Sequence, residues 1–264
     1  MPTQPYNLTT ERNITLGAGY VYFDPEDGSE ALTGELYIGD SSGFSFTMSS
    51  EKTEIDSSDT PTAETLISIV KKVTRASQMS VRNISDQNLA FFIGGSTATV
   101  TQTNTPVTDE VIGAVQQGRY YQLGASTSNP TGVRNVSSVT VEPSGGGTAL
   151  VVDTDYKLDA AGGRIYIIPG GGIADDDELQ VDYTPASNTR TRVTSGSSPR
   201  KGALRFVSDN TAGDNREFYF PRVELSPNGD AALKDRDNPA ELPFDISVLT
   251  RTGYEQVYID GQAA

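Results

Sequence analysis

From Gly43 to Lys52 the chain reads GFSFTMSSEK, with apolar side chains on even numbers and hydroxyls and an acid on odd ones. Phe44, Phe46 and Met48 fall on one side, and Ser45, Thr47, Ser49 and Glu51 on the other. A period of two belongs to the extended strand, whose successive side chains point to opposite faces. The segment therefore predicts a strand with one buried face and one wet face. Leu242, Phe244, Ile246 and Val248 repeat the pattern as a single buried row, and GALRFVSDN and REFYFPRVELSP read as further strands. A chain dominated by such segments and by Gly-, Ser-, Thr- and Asp-rich turns is mainly β. At 264 residues it can form one large β domain or a core with a smaller companion.

After this strand the stretch 54–64 carries Glu54, Asp56, Asp59 and Glu64 and is long for a hairpin connection. Residues 65–83 follow, with Ile67, Ile69, Val73, Met79 and Val81 on odd numbers. A helix over about 62–73 competes with a strand here; β-branched content and the alternation after Ser77 favour the strand. One short helix is expected next. Ser85 suits its N-cap, Asp86 its first turn, and Gly94 the left-handed position after its end. Leu89, Phe92 and Ile93, spaced i, i+3 and i+4, are expected to pack it against a sheet.

The texture changes at 129–186. Gly145–Gly147, Gly162–Gly163 and Gly170–Gly172 punctuate four short runs, SSVTVE, TALVVD, GRIYIIP and ELQVDY. This predicts a small all-β insertion, with 1–128 and 187–264 forming the core domain. Residues 1–15 read as a polar arm, and the chain ends in a small-residue tail.

Composition narrows the chemistry. The chain holds 35 acidic and 20 basic residues, a net charge of −15, and no His, Cys or Trp. Without Cys it has neither a disulfide framework nor a thiolate nucleophile, and without His it lacks the usual general base and the commonest transition-metal ligand. An acidic surface repels phosphates instead of displacing their counterions. Asp175, Asp176, Asp177 and Glu178 lack the alternating spacing of a calcium loop and read as a solvated turn. DNTAGDN (209–215) reads as a hairpin turn, and the Gly triplets do not open helices as phosphate loops do. The expectation is therefore no enzyme, no cofactor and no metal. Lys71, Lys72, Arg75 and Arg82 form a basic cluster, expected to pair with acids on a neighbouring strand. The opening MPTQPYNLTTERNITLG has no charged-then-apolar signal, and no apolar run approaches the ~20 residues of a membrane helix. A protein made in a cytoplasm and kept in solution is expected, so the N-x-[ST] matches at Asn7, Asn13, Asn83 and Asn135 carry no weight.

Taken in order, YIGDSSGFSFTMSSEKTEIDSSD (37–59), VTRASQMSVRNISDQNLAFFIGG (73–95), DYKLDAAGGRIYIIPGGGI (155–173), ALRFVSDNTAGDNREFYFPRVELSPNGDAAL (203–233) and VYIDG (257–261) resemble the major tail tube protein of long-tailed, non-contractile bacteriophages. The resemblance spans most of the chain and rests on no catalytic signature. It implies a β-sandwich or barrel-like core with one flanking helix, built into rings of six that stack into a tube. It further implies a virion protein made in the host cytoplasm, an acidic bore that DNA crosses without specific binding, and tail partners such as terminator and tape measure proteins. On that footing Ser45, Thr47, Ser49 and Glu51 are expected to face the lumen. The loop with Glu54, Asp56, Asp59 and Glu64 is expected to touch a neighbouring subunit, and 129–186 to decorate the outside. The alternatives are a ring-forming tube protein of a contractile tail or secretion apparatus, and an extracellular glycan-binding β-sandwich module.

Overall fold

A computed structural model describes residues 15–59 and 61–261. The expected polar arm, up to residue 14, and the last three residues of the tail lie outside the described residues. In chain order the elements are β1 (Gly19–Pro25), β2 (Leu36–Tyr37), β3 (Ser41–Asp56), β4 (Thr65–Val81), helix α1 (Asp86–Phe92), β5 (Ser96–Gln102), β6 (Val107–Ile112), β7 (Tyr120–Gln122) and β8 (Val136–Pro143). There follow β9 (Tyr156–Asp159), β10 (Arg164–Ile167), β11 (Leu179–Pro185), β12 (Asn188–Thr194), β13 (Arg200–Ser208), β14 (Arg216–Pro227), β15 (Leu242–Val248) and β16 (Tyr258–Gly261). The fold is mainly β with a single short helix among the described residues. No helix there is long and apolar enough to cross a membrane.

The first compact unit comprises residues up to Ala98 together with those from Arg192. Its strands form one sheet in the order β2-β1-β13-β14-β15-β4-β3, with antiparallel pairing throughout. β14 is long enough to share one edge between two partners, β15 at Val223–Pro227 and β16 at Arg216–Tyr219. The sheet is strongly curled. Phe44 on β3 lies four strand steps from β13, about 19 Å in a flat sheet, yet its ring stacks on Phe206 of β13 at 5.0 Å. The concave side holds the core: Val21, Phe23, Leu204, Phe220, Val223 and Leu225, joined by the expected row Leu242, Phe244, Ile246 and Val248. Alternation in β15 is complete, since Pro243, Asp245 and Ser247 turn outward.

Helix α1 starts and stops where its sequence directs. The Ser85 hydroxyl accepts from the Asn88 amide at 3.2 Å, Asp86 occupies the first turn, and Gly94 takes φ 59°. Its packing face differs from the expected one. Leu89 and Phe92 lie half-buried against the core, but Phe91, Ala90 and Asn88 are its buried residues, and Ile93 is 37% exposed. Ile93 is the C-cap, with φ −91° and ψ 11°, so its side chain has already left the helical face. Phe91 meets Phe23 edge-on at 5.2 Å instead.

The second unit runs from Thr99 to Thr191, starting well before the expected residue 129. Two three-stranded sheets, β7-β10-β9 and β6-β11-β8, enclose Leu123, Val141, Ile165, Ile167, Val181 and other apolar side chains. Each sheet takes one strand, β6 or β7, from the region ahead of the Gly-rich texture. The change of composition at 129 therefore marks the onset of tight turns within the unit and not its boundary. The chain enters it along β5 and leaves along β12, and these two strands pair.

Candidate functional site

β3 and β4 form a hairpin far longer than the sheet it springs from. The segment 65–83 is a strand, Thr65–Val81, and not the competing helix. β15 covers the second edge of β4 only at Ala76–Val81. Among the described residues β4 has no second neighbour from Arg75 out to Thr65, about 35 Å of strand, and β3 has none along its whole length. Two edges of unpaired backbone N–H and C=O groups thus run along the opposite flanks of the hairpin. Such edges are templates for further strand pairing.

The residues expected to be buried beneath this strand lose their cover as it leaves the core. Phe44 is half-buried between Phe206 and Phe220, but Phe46 is 37% and Met48 64% exposed. Ile55, Leu66, Ile67, Ile69, Val70 and Val73 are also exposed. Alternation correctly marks two faces; what covers each face depends on how far the strand runs beyond its own sheet.

Register assigns those faces, because residues directly opposite each other in an antiparallel pair share a side. Ser45 pairs with Gln78, Thr47 with Ala76, Ser49 with Thr74 and Glu51 with Lys72. The four expected lumen residues therefore lie on one polar face. The same rows continue across the sheet: Gln78 to Asp245 to Ser226, and Ala76 to Ser247 to Glu224 to Lys201. Asp245 Oδ1 accepts from Gln78 Nε2 at 2.9 Å and from Asn228 Nδ2 at 2.8 Å. Four adjacent strands thus present hydroxyls, amides and a few charges on their convex side. The opposite face carries Phe46, Met48 and Val73.

A bulge at Lys71 then exchanges the sides, since Glu51 pairs with Lys72 but Lys52 with Val70. Beyond it Thr53·Ile69 and Ile55·Ile67 continue the side begun by Ser45. The polar face is therefore apolar toward the tip, a reversal that a one-strand reading of β3 misses.

The acidic connection is shorter than 54–64. Glu54 and Asp56 belong to β3, and only 57–64, with Asp59 and Glu64, turns the chain. Ser57 N donates to Glu64 O at 2.7 Å, and the Thr65 hydroxyl to Asp56 Oδ1 at 3.0 Å. The basic cluster divides. Arg82 reaches Glu241 at 2.9 Å and Asp40 at 3.4 Å, and the hydrogen bond to Glu241 is the main cause of its raised pKa. Arg75 donates to the Gln256 side chain. Lys72 faces Glu51 across the hairpin, while Lys71 occupies the bulge.

In the second unit the expected acidic turn is held by backbone amides: Asp177 accepts from Ala174 N within the turn at 2.7 Å, and Asp175 from Gln117 N of a distant segment at 2.8 Å. A cavity of about 560 Å³ in the first unit is lined by Phe44, Phe206 and Phe218 together with Asn210, Asp214 and Arg216.

The architecture defines a mainly-β protein whose most exposed element is a long two-edged ribbon. The chain belongs to the family described as a protein of unknown function, UCP028589, whose model matches residues 14–254. No curated protein matches it.

Proposed function

We propose that the protein is the structural subunit of a long, non-contractile bacteriophage tail tube, assembling into rings of six that stack around a bore through which DNA passes. The observation that supports this best is the hairpin: two free edges, one of them 16 residues long, joined to a polar face of four adjacent strands. Pairing the outer edge of β3 in one copy with that of β4 in the next satisfies both rows of backbone groups and closes the ribbons into a barrel without edges. The strand directions suit this, because β3 and β4 alternate and every new pair is antiparallel. In such a barrel Ser45, Thr47, Ser49 and Glu51 line the bore beside Gln78, Asp245 and Ser226. Small hydroxyls and carboxylates offer phosphates no cation to hold, so DNA slides. Lys72 is countered by Glu51 opposite it.

Electron microscopy of the purified protein tests the reading. Rings or hollow filaments at high protein concentration, with six-fold averages, are expected. A monodisperse monomer at every concentration, with and without added DNA, overturns it.

A further inference from the structure

We infer that a row of tyrosines on the convex side of the first unit is the seat for the apolar flank of the β3–β4 ribbon of a second copy. This rests on the tube reading and adds a particular surface to it. In register, Tyr37 of β2 lies beside Tyr22 of β1, Tyr22 beside Arg205 of β13, Arg205 beside Tyr219 of β14, and Tyr219 beside Tyr258 of β16. One straight row crosses five strands on the face away from the core. Tyr20, one step along β1, extends it, with its ring 5.9 Å from that of Tyr37. Tyr20, Tyr37 and Tyr258 are 45%, 46% and 37% exposed. The Arg205 guanidinium lies over the Tyr219 ring at 4.7 Å. Tyrosine and arginine are the residues that protein–protein contacts favour, because each offers a large, mostly apolar surface with a polar end.

Two features of this chain select the occupant. The first is topological. The strand order starts at β2 and finishes at β3, so the tyrosine row begins at the edge of the sheet opposite the ribbon. Joining one end of a copy to the other end of the next is a heterologous contact, the kind that closes rings. With the polar face of the ribbon toward the bore, Phe46, Met48 and Val73 point into the neighbouring copy and need an apolar surface there. The second is charge. Glu35 and Glu217 share the single Arg205, and Asp260 stands opposite Glu217, leaving the rim of the row acidic. On the flank that faces the row, Arg75 lies opposite Met48 and Lys52 opposite Val70, and the acids Glu54 and Asp56 come only nearer the tip. Opposite signs therefore meet where the base of the ribbon lies along the row, which fixes register and direction.

The chain has no cysteine, so introduced thiols report cleanly. Tyr37→Cys and Met48→Cys are made singly and together in the full chain, and assembled protein is treated with a bismaleimide. The doubly substituted protein is expected to give a covalent ladder ending in a closed ring, while neither single variant links to itself. Rings visible in the microscope without a ladder overturn the seat and leave the tube reading standing. A link in either single variant shows a two-fold contact and also overturns it, and failure to assemble under all conditions removes both readings. Tyr20→Asp with Tyr37→Asp supplies a second measurement. The melting temperature is expected to hold while the concentration needed for rings rises about tenfold or more; an unchanged threshold counts against the seat.

Discussion

Ser77 is 2% exposed, and its hydroxyl has no hydrogen-bond partner among the described residues. It sits in β4 between Phe46 and Ile246 on the core side of the sheet. A buried hydroxyl left unpaired forfeits its hydration without return. Ser77→Ala is therefore expected to stabilise the first unit by about 1 kcal/mol, read as a higher urea midpoint with unchanged slope. A lower midpoint would mean that the hydroxyl has a partner in solution. Asp155 makes the opposite case. Its carboxylate accepts from Val151 N at 2.8 Å and Gly172 N at 2.7 Å, and these bonds, in that order of effect, hold its pKa below 3.8. The folded carboxyl holds its proton less readily than the unfolded one. Its contribution is thus complete above pH 3.8 and is lost as the pH falls through the lower folded value. Asp155→Asn, which can accept only one of the two bonds, is expected to lower the urea midpoint at pH 7. It is also expected to flatten the decline of stability below about pH 4. An acid limb identical to that of the unsubstituted protein would assign that decline to other carboxylates.

At the scale of elements, the ribbon is built on its own hairpin pairing and owes little to the core beyond its base. Past Arg75 none of its described residues is buried. Replacing Ser50–Val73 with Asn-Gly, a two-residue turn suited to joining Ser49 and Thr74 as a tight hairpin, removes the exposed span. The shortened chain is expected to melt within a few degrees of the full one and to form no rings at any concentration. Rings formed by it would place the intersubunit contacts elsewhere. Elements set by near neighbours were legible in the sequence: α1 between Ser85 and Gly94, and the row Leu242 to Val248. The polar face of β3 was legible too, because alternation is a local property. What was hidden depends on distant partners. The bulge at Lys71 needs both strands of the hairpin to be seen, and the burial of Phe91 in place of Ile93 depends on where Phe23 waits. The exposure of Phe46 and Met48 follows from the length by which the ribbon outruns β15. The tyrosine row could not be found in one strand, since each of its five residues comes from a different one.

At the scale of the whole molecule, the chain is a core interrupted by a second unit with its own sheets and its own buried cluster. The core strands beside the ribbon pair without using any residue of 99–191: β13, β14 and β15 follow the insertion and β1 to β4 precede it. The tyrosine row and the polar face likewise draw only on the first unit. Excision is thus a direct measure of what the second unit does. Replacing residues 103–187 with a short Gly/Ser linker keeps β5 and β12 and lets them meet as a hairpin, and a flexible linker of modest length costs little in closure entropy. The remaining protein is expected to fold and to assemble at the same concentration as the full chain, giving thinner filaments of the same axial repeat. Residues 99–191 made alone are expected to melt cooperatively, because each of their sheets is complete within that span. If the excised chain folds but no longer assembles, the second unit belongs to the wall of the tube, and the ribbon and the tyrosine row are insufficient by themselves to join one copy to the next.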